Sequence, residues 1–351
     1  MGSAGLWLLV FYLVSRYLFI VPVKKVNKTL IIQTAFPGDV ILATSVAESI
    51  HNSHPDIKID MLVKQGNEQL FSGHPYIGNV ITLKKDRNKF SELSEIIKKV
   101  RSEQYDLVIN LHRFFSSGLI TAFSKAAEKR GFQKNPLSRF FDKAFSHNIG
   151  DGNHEIDRNH QLIDDLCETK PAQPRLYPGK KALQNTEEYR KQKPYICIAP
   201  SSVWFTKQFP IEKWQEFISR IPEEYQVYLI GAPGEKSWVQ QIADYRNGAK
   251  NLCGKLDLLS SAALMKDAKM NFVNDSAPLH LASATNAPVA AIFCSTIPDF
   301  GFGPLSTNSR IIEKEAPLPC RPCGLHGKKQ CPEGHFACAY DIDVNRLLEC
   351  L

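Results

Sequence analysis

The sequence predicts an α/β protein of two halves, each built on a parallel sheet, with a cleft between them. Three observations predict it. Short apolar runs alternate with segments of helical period over residues 29–170, and the alternation resumes at residue 195. Between the two series, residues 171–194 carry four prolines among polar residues, the composition of an interdomain linker. Each series also holds a polar turn that leads from a strand into a helix, at 34–39 and at 274–280. Such turns at the carboxyl edge of a parallel sheet bind anionic ligands. The expected division is a leader at 1–28, a first domain at 29–170, the linker, and a second domain with a cysteine-rich tail at 195–351.

In the first half, residues 29–33 read as a strand. The turn Thr-Ala-Phe-Pro-Gly-Asp follows at 34–39, where Gly38 permits close backbone approach and Asp39 opens a helix that runs to about residue 51. Strands are expected at 57–63 and 80–83. A helix at 90–101 carries its apolar stripe on Leu93, Ile96, Ile97 and Val100. A strand at 107–110 ends in Leu111-His112-Arg113. Helices at 116–127 and 159–166 complete this half, with 148–160 as a polar loop. Basic residues crowd 84–89 and 125–143. With Phe132, Phe140 and Phe141 interleaved, they read either as a solvated face or as a cationic wall for membrane or nucleic acid.

In the second half, a strand at 195–199 leads to Pro200-Ser201-Ser202 and to Lys207-Gln-Phe-Pro210, before a helix at 211–221. A strand at 226–230 ends in Gly231-Ala-Pro-Gly234, a candidate phosphate or sugar loop. A helix to about 245, a short strand and turn at 251–254 and a helix at 259–266 follow. The strand at 270–274 then enters a turn in which Asp275 or Ser276 can cap the next helix. Pro278 in the first helical turn has no N–H to lose there. His280 follows one turn in, as either a packed ring or a ligand contact, and residues 285–287 return the chain to a strand.

At 351 residues, both Rossmann-like halves have enough chain for a core of their own, and the 43% hydrophobic content is that of a globular protein. The net charge of +7 suits an anionic partner such as a nucleotide, a nucleic acid or an acidic membrane. Neither half contains G-x-G-x-x-G or G-x-x-x-x-G-K-[ST], which argues against a dinucleotide oxidoreductase or a P-loop enzyme.

Taken together, Gly38-Asp39-Val40, the run Asp-Leu-Val-Ile-Asn-Leu-His at 106–112, Pro200-Ser201-Ser202, Lys207 before Phe209-Pro210, Ile230-Gly231, Asn-Leu-Cys-Gly at 251–254 and Asn-Asp-Ser-Ala-Pro-Leu-His-Leu-Ala at 274–282 carry a resemblance. In this order and spacing the chain resembles the lipopolysaccharide heptosyltransferases of glycosyltransferase family 9, over about residues 30–348. The resemblance implies the GT-B fold, two Rossmann-like domains with the active site in the cleft between them. It implies an inverting, metal-independent transfer of heptose from ADP-L-glycero-β-D-manno-heptose to the inner core of lipopolysaccharide, on Kdo or on heptose, with no cofactor. Asp39 matches the family's general base on the acceptor hydroxyl. Lys207 matches the lysine on the donor phosphates. Asp275, Ser276, Ala277 and His280 fall at the donor, with Ala277 in place of the usual glycine. Ser201, Ser202 and Gly231 are expected to border the donor, and Gly38, His112 and Arg113 the acceptor side. The alternatives are a family-9 enzyme with another nucleotide sugar or acceptor, a non-catalytic nucleotide-binding protein at a membrane, and a zinc-containing nucleic-acid binder.

The two ends leave readings open. Residues 6–23 are apolar but interrupted by Arg16 and stopped by Pro22. They can lie in the membrane interface, span it, or pack on the protein, and Lys24, Lys25 and Lys28 suit an anionic inner leaflet. A cytoplasmic enzyme held at the inner membrane, working on a lipid A acceptor that carries Kdo, would use both features, and no nucleic-acid partner is expected. Cys167, Cys197, Cys253 and Cys294 read as buried thiols. The spacing of Cys320, Cys323, Cys331 and Cys338 allows a tetrahedral zinc site, a disulfide or free thiols. The resemblance favours free thiols.

Overall fold

Residues 26–84, 89–191 and 194–351 are described by a computed structural model. The apolar run at 6–23 lies outside the described residues. Among those described, no helix is long and apolar enough to cross a membrane.

Two six-stranded sheets carry the fold. The first contains β1 (Lys28–Gln33), β2 (Lys58–Lys64), β3 (Ile77–Leu83), β4 (Leu107–Asn110), β5 (Glu128–Phe132) and β6 (Lys143–Phe145), in the order β3-β2-β1-β4-β5-β6. The second contains β7 (Tyr195–Ala199), β8 (Gln226–Leu229), β9 (Lys250–Asn251), β10 (Asn271–Asn274), β11 (Val289–Phe293) and β12 (Ser309–Glu313), in the order β12-β11-β10-β7-β8-β9. Neighbouring strands are parallel throughout. Both orders are the doubly wound order, the second read from its far edge, so each sheet reverses direction once: between β1 and β4, and between β7 and β10. The turns at the carboxyl ends of those four strands are the ones whose polar residues stand out in the sequence.

The helices α1 (Pro37–Ser53) and α9 (Ala277–Thr285) start at these reversal points. Each has proline in its first turn, where a missing N–H costs nothing. Neither has an exposed face of any width: α1 is buried at every position from Val40 to Ile50, and α9 from Leu279 to Ala284. A helix buried all round must be covered all round. Each covers the other across the boundary between the two halves, and one hydrophobic cluster runs from Ile31, Val46 and Ile50 through to Val273, Leu279 and Phe293. Helix α9 closes with Asn286 in the left-handed region (φ 52°), a conformation that asparagine tolerates at a helix end.

The proline-rich stretch at 171–194 is pinned to α1. Ser45 Oγ donates to the Ala172 carbonyl (2.7 Å), and Arg175 N–H donates to Thr44 Oγ1 (2.9 Å). It also contains a helix, α5 (Lys180–Arg190), that packs on α8 (Leu258–Lys266).

Three expectations are corrected. The helix expected at 116–127 stops early, as α3 (Phe115–Ala122), because β5 follows at once. The helix expected at 159–166 is α4 (Glu155–His160), which occupies part of the expected polar loop. The basic stretch at 125–143 is neutralised at three positions, and residues 85–88 of the other stretch lie outside the described residues. β5 and β6 set Arg130 beside Lys143, where Asp165 pairs with both, and Lys129 pairs with Asp142 (3.2 Å). Phe132 and Phe141 are buried in the core and only Phe140 is exposed, so no aromatic-interleaved face forms.

Between β7 and β8, α6 (Ile211–Arg220) buries Trp214, Phe217 and Ile218 at i, i+3 and i+4. The Trp214 ring meets Phe209 edge-on at 5.3 Å, and its Nε1–H has no hydrogen-bond partner among the described residues. Trp214→Ala is expected to cost about 3–5 kcal/mol in urea denaturation. Trp214→Phe, which removes an unpaired donor and keeps a ring, should cost less than about 1.5 kcal/mol.

Candidate active site between the two halves

The first wall of the site is the start of α1. Asp39 sits half-buried in its first turn. Burial and the nearby Glu155 carboxylate push its carboxyl up to about 6, against the opposing pull of backbone N–H groups and Lys207. Gly38, one residue earlier, touches the other half directly. A Cβ there would lie 2.8 Å from Cδ2 of the His280 ring on α9. The missing side chain therefore sets how closely the two helix starts approach.

The second wall is the start of α9 with the turns around it. Asn274 closes the end of β10 by donating from Nδ2 to the Pro200 carbonyl (2.5 Å) and accepting the Phe209 N–H at Oδ1 (3.1 Å). This ties 200–209 to 274–276. Asp275 is buried, and its Oδ2 accepts from Thr296 Oγ1 and pairs with Lys207 Nζ, each at 2.6 Å. Ser276 stands at the N-cap with its hydroxyl 3.3 Å from the Ser201 carbonyl, and does not cap the helix. The cap expected from Asp275 or Ser276 is absent because both side chains are engaged elsewhere. Among the described residues the Ala277 N–H keeps its donor capacity, whereas Pro278 has none and the Leu279 N–H donates to the Ser276 carbonyl (3.0 Å). The Ser202 carbonyl accepts from Gln208 Nε2 (2.5 Å).

Buried polar atoms in this wall lack partners. Among the described residues Ser201 Oγ and His280 Nδ1 are both buried with no hydrogen bond. An unpaired buried polar group costs about 1–3 kcal/mol, so both atoms have capacity for a ligand or water. Burial holds the His280 ring down to about 4, which leaves it a neutral donor and acceptor near pH 7.

The remaining expected residues separate into two places. At the end of β4, His112 Nδ1 lies 2.8 Å from Thr34 Oγ1, and burial and the adjacent Arg113 hold the ring down to about 4. Arg113 is exposed, lies over the Phe114 ring, and places a guanidinium nitrogen 3.5 Å from His326 Nε2 of the tail. Gly231 has a packing role: a Cβ would meet Glu235 Oε2 at 2.5 Å and Cys253 Sγ at 2.9 Å.

Sequence reasoning missed α4. Glu155 is buried on it, accepts from Arg158 Nε (2.9 Å), and is 3.1 Å from His147 Nε2. Three bonds then join α4 to the second half: Glu155 N–H to the Gly301 carbonyl (2.8 Å), Arg158 to the Phe300 carbonyl (2.8 Å), and His154 Nε2 to the Gly303 carbonyl (3.1 Å). The available signal was a capping-box spacing, His154 to Asp157, carried by an unusual capping residue. The tail also disagrees with one reading. All nine cysteines are free, and no group of three or more His, Cys, Asp or Glu among the described residues is arranged to hold a metal ion. The zinc candidate at Cys320, Cys323, Cys331 and Cys338 is therefore set aside.

A model of glycosyltransferase family 9 (heptosyltransferase) matches residues 93–336. The chain belongs to this family. Among curated relatives, lipopolysaccharide heptosyltransferase 3 of Escherichia coli is 26% identical over 278 residues, covering 74% of this chain and 82% of that protein. Among solved structures, E. coli ADP-heptose LPS heptosyltransferase II matches with a TM-score of 0.77 at 21% identity, over 92% of this chain and 97% of that one. E. coli heptosyltransferase WaaC with ADP-2-deoxy-2-fluoro heptose matches with a TM-score of 0.69 at 20% identity, over 92% and 99%. The family-9 fold is the expected GT-B arrangement, two Rossmann-like halves that face one another. In this family-9 transferase the two helix starts meet with a carboxylate on one side and a lysine–aspartate pair on the other.

Gly38→Ala is expected to cost about 1–3 kcal/mol in urea denaturation, through the methyl forced against His280. His280→Ala in the same chain should remove most of that cost, since the two sites share the contact.

Proposed function

We propose that this protein is an inverting, metal-independent heptosyltransferase that transfers heptose from ADP-L-glycero-β-D-manno-heptose to the inner core of lipopolysaccharide, on Kdo or on heptose. The observation that carries the reading is Asp39: a carboxylate of raised pKa in the first turn of α1, facing the Lys207–Asp275 pair from the opposite half. The named relatives support the donor. Several are lipopolysaccharide heptosyltransferases, and the WaaC structure holds an ADP-heptose analogue.

In the mechanism, Asp39 takes the proton from the acceptor hydroxyl as its oxygen attacks the anomeric carbon of the donor. The new C–O bond forms on one face of the sugar while the bond to the β-phosphate oxygen breaks on the other, and ADP leaves with the electron pair. Positive charge for the leaving diphosphate comes from Lys207 and the Ala277 N–H at the start of α9, in place of a metal ion. Ser201, Ser202, Ser276 and Ala277 border the diphosphate. Neutral His280 contributes a hydrogen bond without a charge. Gly38, His112 and Arg113 stand toward the acceptor, where an exposed guanidinium suits the carboxylate or phosphate of an inner-core saccharide. The enzyme then works on the cytoplasmic side of the inner membrane, against its anionic surface.

Asp39→Asn is expected to lower turnover about 10²- to 10⁴-fold, the range for loss of a general base, while ADP-heptose affinity stays near that of the wild type. Turnover at the wild-type rate removes Asp39 from the role. In the wild type kcat needs the carboxylate form, so the rate falls as pH drops through about 6 and is flat above it. Binding of a panel of nucleotide sugars, then transfer to lipid A carrying Kdo or Kdo plus heptose, tests donor and acceptor. Full rate in the presence of a chelator tests metal independence.

A further inference from the structure

The cysteine-rich tail contributes one turn to the site. Residues 325–328 of the tail lie on the segment that carries Lys207. Thr206 N–H donates to the Lys328 carbonyl (3.1 Å), and Lys328 N–H donates to Thr206 Oγ1 (2.7 Å). The same hydroxyl lies 3.0 Å from Ser295 Oγ, and Ser295 N–H donates to the Thr206 carbonyl (3.2 Å). Ser295 in turn accepts the Cys323 N–H (2.9 Å). Buried Thr206 is thereby held on both sides, by the tail and by the end of β11.

Gly327 lies against the next residue. A Cβ built on it would be 2.8 Å from Lys207 Cγ, 3.1 Å from Thr206 Oγ1 and 3.2 Å from Trp204 Cβ. Its φ of +74° is a conformation that side chains rarely adopt. The tail backbone thus runs along the lysine stem at the closest distance a residue without a side chain allows. A lysine has four rotatable bonds between backbone and charge, and needs an external wall to hold its ammonium at one point. Asp275 holds the tip of Lys207 and the tail turn confines its stem.

We propose that the tail turn at 325–328 is a strap that positions Lys207, and that Gly327 is a positioning residue for donor binding. The strap aims the ammonium at the diphosphate, so the proposal rests on the reading of Lys207 as the diphosphate contact. The sequence supplies its own controls. Gly324 (φ +93°) and Gly334 (φ +74°) also have left-handed backbones, but a Cβ on either meets nothing within 4 Å. Alanine at those positions carries the backbone strain without the contact to Lys207.

The test measures ADP affinity by calorimetry, and donor KM and kcat, on the full chain. Gly327→Ala should weaken ADP by about tenfold, a shift of one decade in Kd, with donor KM raised, kcat at saturating donor little changed and acceptor KM unchanged. Gly324→Ala and Gly334→Ala should lower thermal stability by a similar amount and bind ADP within about twofold of the wild type. In a Lys207→Ala background, Gly327→Ala should add no further loss. Should Gly327→Ala fail to fold, Thr206→Val decides, because it removes the strap's hydroxyl anchor without adding bulk, and it should weaken ADP in the same direction. Equal ADP affinity in the Gly327, Gly324 and Gly334 variants overturns the strap while leaving Lys207 its role. Wild-type ADP affinity in Lys207→Ala alone overturns that role, and the strap with it.

Discussion

The contact between the starts of α1 and α9 is the constraint on which the rest depends. Both helices are buried on every side, so neither half can be complete without the other. The depth of their approach is set by a single missing methyl, at Gly38 against the His280 ring. From this contact follow the burial that raises the Asp39 carboxyl and the burial that keeps His280 neutral. Two titratable groups are shifted in opposite directions, away from charge in each case, by one act of packing.

Lys207 and Asp275 answer that desolvated wall differently. Each is mostly buried, the two are paired, and Thr296 donates a hydrogen bond to the same Asp275 oxygen. A lone ammonium at this depth would cost more than the pair does. Asp275 therefore acts as an internal counter-ion. Any anion that comes to Lys207 must share it with a carboxylate already in place, which limits how tightly an anionic product can stay.

Much of this was legible in the residues, and the reason is local chemistry. Proline in a first helical turn, glycine where backbone must approach closely and asparagine at a strand end act over a few positions, so the turns at 34–39 and 274–280 could be read without the fold. The strands β7 and β11 are continuous apolar runs that announce burial on both faces, and β1 and β10 have apolar centres between polar ends. What could not be read is held by distant partners. β5 spells Glu-Lys-Arg-Gly-Phe, a poor strand by composition. It exists because β4 offers it a ladder and Asp165 takes up its arginine. Helix α4 is only six residues long, too short to show a period, and its partners are carbonyls some 140 residues away. The basic stretch at 125–143 was legible only in part for the same reason: charge is visible in a sequence, and the pairing of Lys129, Arg130 and Lys143 with Asp142 and Asp165 is not.

The seam made by α4 has a consequence for how such a chain can change over time. His154, Glu155 and Arg158 bond to the carbonyls of Gly303, Gly301 and Phe300, so the receiving side is recognised largely through its main chain, with the Arg158 guanidinium also over the Phe302 ring (5.8 Å). The side chain at 300 is free to drift, because a carbonyl is supplied by whatever residue stands there. Gly301 is fixed: its φ is +87°, and a Cβ would fall 2.3 Å from the Asn153 carbonyl oxygen. One half keeps two demanding side chains, His154 and Arg158, and the other keeps one glycine, an asymmetric bargain in which mutation is tolerated more on one bank of the seam than on the other.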